Sequence, residues 1–247
     1  MFWTALTKQG LSHSKNEDNY YIPSNDDKKE TKLFIVCDGL GGHEHGELAS
    51  KLCIESIVND FSNYNNFDNI NNWIESAINR ANEYVIENSR KNNSFLRMAT
   101  TVSILVLEGE NRAYIGSVGD SRLYYYTSDK LKQLSADDSP SWERFKQNLI
   151  SKDDLLNQYD KNILNKAIGL EANLEFPAYK AIELEDNFLF LICSDGLSDY
   201  LKDSDIENII KENDSLININ NHLYENAINA GSLDDVTLVT VSNFKKE

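Results

Sequence analysis

The chain has 247 residues and a mass of 28.2 kDa, and 40% of its residues are hydrophobic, enough to bury a sizeable core and to exclude wholesale disorder. Lys and Arg number 24 against 40 Asp and Glu, leaving a formal charge of −16. That balance excludes non-specific nucleic-acid binding and adhesion to an anionic membrane, since both need a basic surface.

The N-terminus has no basic start followed by an apolar stretch, so no signal peptide is expected and the chain is assigned to the cytoplasm. Short runs rich in Val, Ile, Phe and Tyr predict strands at Phe2–Thr7, Tyr20–Ile22 and Lys32–Cys37. Two amphipathic helices follow. Ala49, Leu52, Cys53, Ile57 and Phe61 mark one buried face, and Ile70, Trp73, Ile74, Ala77, Ile78, Ala81 and Val85 mark the other. The Asn-rich stretch Asn63–Asn72 between them reads as a surface loop. A block of strands is expected at Thr100–Leu107, Arg112–Val118, Arg122–Thr127 and Leu131–Leu134. Ser139–Lys166 is charged and weakly helical, and strands resume at Tyr179–Leu184 and Phe188–Cys193. The latter is among the longest apolar runs, far short of the ~20 residues a membrane helix needs. Two helices (about Ser204–Asn213 and Leu216–Ala230) precede a last strand, Val236–Val241.

Short loops between consecutive strands favour antiparallel pairing, and the long helices imply an α+β fold with helices covering sheets. No linker and no repeat divides the chain, so residues 1–247 are expected to form one domain. The 3 Cys, with no CxxC spacing, exclude a disulfide framework or zinc ribbon, and Cys37 and Cys193 read as buried thiols.

A pattern recurs along the chain: an apolar strand, then Asp. Leu33–Cys37 leads to Asp38-Gly39, Arg112–Val118 to Gly119-Asp120, and Phe188–Cys193 to Ser194-Asp195-Gly196. Glu17-Asp18 precedes the second strand and Asp234-Asp235 the last. Asp-Gly and Gly-Asp are ordinary turn dipeptides taken singly. Together, such carboxylates can converge at one end of a sheet, where they repel unless cations neutralise them. Oxygen-only ligands suit Mg²⁺ or Mn²⁺ and argue against zinc. There is no P-loop and no GxSxG, so nucleotide hydrolysis of that type and a serine-hydrolase elbow are unsupported.

The motifs resemble those of the metal-dependent serine/threonine phosphatases of the protein phosphatase 2C family, in its compact bacterial form. Asn16-Glu17-Asp18 is similar to the family's NED motif. Val36–His43 with Gly46–Ser50 resembles VADGMGGH…GExAS, and Met98–Thr101 resembles MGTT. Val118–Tyr124 resembles VGDSRxY, Leu134–Ser139 LTxDHS with Asp138 in place of His, and Leu164–Gly169 LxxALG. Cys193–Leu197 resembles CSDGL, and Asp234–Thr237 resembles DNVT. These motifs fall in family order over most of the chain.

The resemblance implies a four-layer α-β-β-α sandwich: two packed antiparallel sheets flanked by helix pairs. It implies hydrolysis of phosphoserine and phosphothreonine in proteins by a water bridging two Mn²⁺ or Mg²⁺ ions, with no phosphoenzyme. Asp38 would bridge the metals, Asp195 and Asp234 would hold the first, and Glu17 and the Gly39 carbonyl the second. A third, weaker ion would sit on Asp120 and Asp195. Candidate catalytic residues are Asp38, Glu17, Asp18 and His13, and residues 139–166 match a mobile flap. The implied partners are a phosphorylated protein substrate and a cognate Ser/Thr kinase, with no nucleic acid and no membrane.

Three residues depart from the family pattern. His13 stands where an Arg usually holds the substrate phosphate; either His13 or another cation, such as Lys15, serves instead. Leu40 replaces a His that acts as general acid in eukaryotic members, with His43 and His45 nearby. Asp235 replaces the usual Asn, either as a tolerated swap or as added charge at the first metal. The alternative to an active phosphatase is a catalytically weak or inactive phosphoprotein-binding module of the same fold. A metal-free acidic interaction domain does not account for the ordered motifs.

Overall fold

The computed structural model describes residues 1–24, 29–40, 45–64, 69–91, 98–170, 174 and 181–243. Its strands are β1 (Phe2–Lys8), β2 (Asn19–Tyr21), β3 (Thr31–Cys37), β4 (Val102–Glu108), β5 (Arg112–Val118), β6 (Arg122–Thr127), β7 (Lys130–Gln133), β8 (Ile182–Glu183), β9 (Leu189–Cys193) and β10 (Val236–Ser242). Its helices are α1 (Gly46–Asn63), α2 (Ile70–Lys91), α3 (Pro140–Lys146), α4 (Asp195–Ser198), α5 (Asp203–Glu212) and α6 (Leu216–Asn229). The strands form two antiparallel five-stranded sheets, β1-β10-β9-β6-β7 and β2-β3-β4-β5-β8.

Side-chain alternation along β3 explains the layering. Leu33, Ile35 and Cys37 pack in one apolar cluster with α1 and α2, while Phe34 and Val36 point the other way into a cluster shared with the first sheet. Leu189, Leu191 and Cys193 of β9 face α5 and α6, and Phe190 and Ile192 face the second sheet. Each central strand is therefore buried on both faces, and this is why these strands read as unbroken apolar runs. The result is the expected four-layer α-β-β-α sandwich. Among the described residues no helix is long and apolar enough to cross a membrane. Cys37, Cys53 and Cys193 are buried free thiols.

Local chemistry accounts for several element ends. Ser139 caps α3, accepting the Trp142 N–H at 3.2 Å with Pro140 in the first turn, and Ser215 caps α6, accepting from Asn218 N–H at 3.1 Å. The expected strand at Thr100–Leu107 starts later, at Val102, because Thr100 and Thr101 are drawn into contacts with Asp38. The Asn-rich loop is shorter than expected, since α1 runs to Asn63 and α2 begins at Ile70. Of the strand expected at Tyr179–Leu184, Ile182–Glu183 is what pairs among the described residues, and Tyr179 and Lys180 lie outside them. The charged segment 139–166 holds α3 and a 3₁₀ turn at Asp153–Asn157.

Register decides where the site lies. In the first sheet Lys8 pairs with Val236, Leu238 with Cys193, and Arg122 with Cys193. The residues just before β10, after β9 and before β6 therefore share one end, and these are Asp234, Asp195 and Asp120. In the second sheet Asn19 pairs with Cys37 and Val102 with Val118. That brings Glu17 and Asp18, Asp38, and the loop after β5 to one end as well.

Candidate metal centre

The two ends meet. Glu17 N–H donates to Asp235 Oδ2 at 2.7 Å across 218 residues of sequence, and Thr101 Oγ1 lies 2.6 Å from Ser121 Oγ. Asp38 is held at its backbone: its N–H donates to Thr101 Oγ1 (3.0 Å), and its carbonyl accepts from Thr101 N–H (2.8 Å) and Thr100 Oγ1 (2.8 Å). The Glu17 carbonyl accepts from Ser50 Oγ at 2.6 Å and Gly39 N–H at 3.2 Å. Asp195 opens α4, a four-residue helix for which the sequence gives no period, Asp-Gly alone being an ordinary turn signal. Gly196 allows that helix to rest on the segment before β10: a Cβ there would lie 2.0 Å from the Asp235 carbonyl oxygen. Gly196→Ala should therefore lower stability by about 1–3 kcal/mol, the range of an overpacked core. Urea denaturation with an unmoved midpoint would refute that packing.

Electrostatics bind these residues into one cluster. Loss of solvent, then the charges of Asp18, Asp195, Asp120 and Asp234, push the Asp38 carboxyl well above the usual range. Asp195 is raised likewise, by burial first and then by Asp120, Asp199, Asp234 and Asp18. Burial lifts Asp120 to about 8, aided by Asp199 and Asp137 and opposed by Arg122. Asp18 is lifted to about 7, chiefly by burial. The Ser194 and Thr237 hydroxyls favour its ionised form without closing a bond to it. Glu17 and Asp234 are raised too, burial being the largest cause for both.

This set fits a divalent cation. Glu17 Oε2 and both Asp18 carboxylate oxygens are buried with no hydrogen-bond partner. An ionised oxygen kept from water needs a donor or a cation. The converging side-chain donors are oxygens, as hard cations require. The spacing is loose, however. Among the described residues, the group of three whose ligating atoms lie mutually within 4.8 Å is His13, Asp234 and Asp235. Asp235 is a poor ligand there, because its two oxygens already accept the Gly10 and Glu17 N–H groups at 2.7 Å.

His13 Nδ1 lies 3.1 Å from Asp235 Oδ2 and 3.4 Å from Asp234 Oδ1. Burial pulls its pKa down, but the Asp235 hydrogen bond and the charges of Asp234, Asp235 and Glu17 outweigh that and leave it raised. Lys15 is paired with Glu47 at 2.9 Å. Arg122 is spent inside the protein, on Asp137, the Ser198 carbonyl and Tyr124. Asp138, at the family's His position, accepts the Gly119 N–H at 3.1 Å. His45 is a left-handed residue (φ 71°) at the start of α1, and His43 lies outside the described residues.

Four residues do more than the sequence shows of them. Thr100 and Thr101 fall in both a predicted strand and the Met98–Thr101 motif, and they hold the Asp38 backbone; Asp199 carries no motif; and Asp235, by sequence either a tolerated swap or added charge at the first metal, is a buried acceptor of two backbone N–H groups.

The family model for protein phosphatase 2C matches residues 10–223. The serine/threonine phosphatase stp of Listeria innocua is 28% identical over 238 residues, covering 95% of this chain and 93% of that protein. The crystal structure of Stp1 from Staphylococcus aureus superposes with a TM-score of 0.88 at 26% identity, covering 96% of this chain and 93% of that one. The catalytic domain of the phosphatase PstP, solved with two manganese ions, has the same fold: TM-score 0.82, 24% identity, 98% and 97% coverage.

Proposed function

The chain belongs to the protein phosphatase 2C family, and from that premise we propose that it hydrolyses phosphoserine and phosphothreonine in proteins with two divalent cations. The observation that carries the proposal is the set of partnerless buried carboxylate oxygens on Glu17 and Asp18, inside a cluster of acids drawn from both sheets. Asp38 would bridge the two ions. Asp195 and Asp234 would complete the first site, Glu17 and the Gly39 carbonyl the second, and Asp120 with Asp195 a weaker third. When bound, Mn²⁺ or Mg²⁺ ions lower the pKa of a water to near neutrality and offset the charge of the phosphate.

The chain's own residues do the rest. Thr100 and Thr101 hold the Asp38 backbone so that its carboxylate stays at the sheet end. Asp18 is buried and, when ionised, adds its charge to that of Asp38. With Nδ1 turned to the two aspartates, His13 has only Nε2 for a phosphate oxygen, so it offers one donor where Arg offers two. The thiols are buried, consistent with direct attack by water and no phosphoenzyme.

We further place residues 1–247 in one catalytic unit with 139–166 as its flap, in the cytoplasm, opposite a Ser/Thr kinase. What supports the flap assignment is position: three ion pairs, Lys161–Asp199 at 3.1 Å, Lys202–Asp153 at 2.9 Å, and Lys152–Asp203, set that segment against residues 199–203, just after Asp195 and α4.

Hydrolysis of p-nitrophenyl phosphate and a phosphothreonine peptide should require Mn²⁺ or Mg²⁺ and stop on chelation. Peptide binding without turnover in millimolar Mn²⁺ would favour the binding-module alternative and end this proposal.

A further inference from the structure

Asp235 and His13 are the chain's two departures from the family motifs nearest the site, and they touch. Asp235 is only 3% exposed, and each oxygen of its carboxylate is used. Oδ1 accepts the Gly10 N–H at 2.7 Å, and Oδ2 accepts the Glu17 N–H at 2.7 Å and faces His13 Nδ1 at 3.1 Å. One side chain thus gathers three points of the β1–β2 loop. Its own N–H donates to Asp234 Oδ1 at 2.8 Å, so the same residue also sets the Asp234 carboxylate. The loop lies directly on this segment: Ser12 N–H donates to the Leu233 carbonyl at 2.9 Å, and a Cβ on Gly10 would lie 2.2 Å from the Asp234 carbonyl carbon.

We infer that Asp235, held by His13, is a positioning residue that fixes Glu17 relative to Asp234 and so sets the spacing of the two metal sites. The inference rests on the metal-dependent reading above. A carboxylate is required because both backbone groups are donors. An amide has one acceptor oxygen and would turn its NH₂ toward either the Gly10 or the Glu17 N–H, leaving that group unpaired. His13 supplies a further donor to the same carboxylate. The unusual Asp and the unusual His are therefore one feature rather than two: the histidine serves the carboxylate that an Asn would not present.

The test compares wild type, Asp235→Asn, His13→Ala and the double variant. Mn²⁺ affinity is read by titration calorimetry on the full chain, and kcat and KM with p-nitrophenyl phosphate. Outer-sphere partners of metal ligands typically carry 10–100-fold in affinity. Asp235→Asn should weaken Mn²⁺ binding by tenfold or more and lower kcat, with KM within twofold of wild type. His13→Ala should weaken Mn²⁺ binding about threefold. The double variant should bind Mn²⁺ no more weakly than Asp235→Asn, because toward the metal both act through one carboxylate; any added rise in KM reports the separate Nε2 contact to phosphate. A merely structural Asp235 would lower the melting temperature while the folded protein kept its Mn²⁺ affinity, and that result overturns the inference. So does a double variant whose losses of Mn²⁺ affinity multiply. Should Asp235→Asn fail to fold, His13→Ala, at a part-exposed position, decides: unchanged Mn²⁺ affinity and kcat refute the pair. Wild-type protein that takes up no Mn²⁺ overturns the metal reading and this inference together. Wild-type uptake with an unaffected Asp235→Asn overturns this inference alone.

Discussion

Asp38→Ala is expected to abolish turnover while leaving the apo fold intact. Asp38 sits where the two sheet ends meet, and four other acids press on it. As the proposed ligand common to both ions, its loss should cost at least about a thousandfold in kcat, or ~4 kcal/mol of transition-state stabilisation. Its backbone is held by Thr100 and Thr101, whose bonds do not involve the side chain, so the strand end should keep its course. Removing one of several repelling carboxylates should hold or raise the melting temperature in chelator. Near-wild-type turnover in saturating Mn²⁺ would sink the assignment of Asp38 as bridging ligand.

The second large effect couples metal, pH and stability. Asp18 titrates near 7 and Asp120 near 8 in the folded chain, against 3.8 in a free side chain, and Asp38 and Asp195 stand well above 3.8. Between those limits the folded state binds more protons than the unfolded one. Stability from these groups therefore falls as pH rises from about 4 through 7 to 8. In chelator, the melting temperature should drop from pH 5.5 to pH 8.

Mn²⁺ reverses the trend, because its ligands must be deprotonated and binding tightens with pH. At a hundred times the dissociation constant each site adds ~2.7 kcal/mol. Two sites should raise the melting temperature by about 10–20 °C, more at pH 8 than at pH 6. The double variant Asp195→Ala/Asp234→Ala should lose most of that gain. Melting curves that Mn²⁺ leaves in place at both pH values would count against two sites.

β5 and β6 were legible to the residue, because their flanking Gly-Asp and Ser-Asp turns bound apolar runs. The positions of the acids were legible for the same reason: a strand buried on both faces must end where charge begins. The family motifs made the ligand set readable as an expectation. α4 was not legible, since four residues carry no period. Nor was the end of the Asn-rich loop, where helix propensity and packing, rather than composition, decide the boundary.

By itself, the sequence determined that this is a layered α+β chain whose carboxylates stand at strand ends, because burial pattern and local turn chemistry are written in consecutive residues. Which acids meet was decided by the tertiary structure. Lys8 pairing with Val236 sets the β1–β2 loop on Asp234 and Asp235, joining residues 218 apart, and Arg122 pairing with Cys193 sets Asp120 beside Asp195. The same packing set His13 Nδ1 against a buried carboxylate, leaving Nε2 to face outward chemistry, and turned Arg122 inward onto Asp137. Strand register and sheet packing act between distant segments, and no local run of residues carries that information.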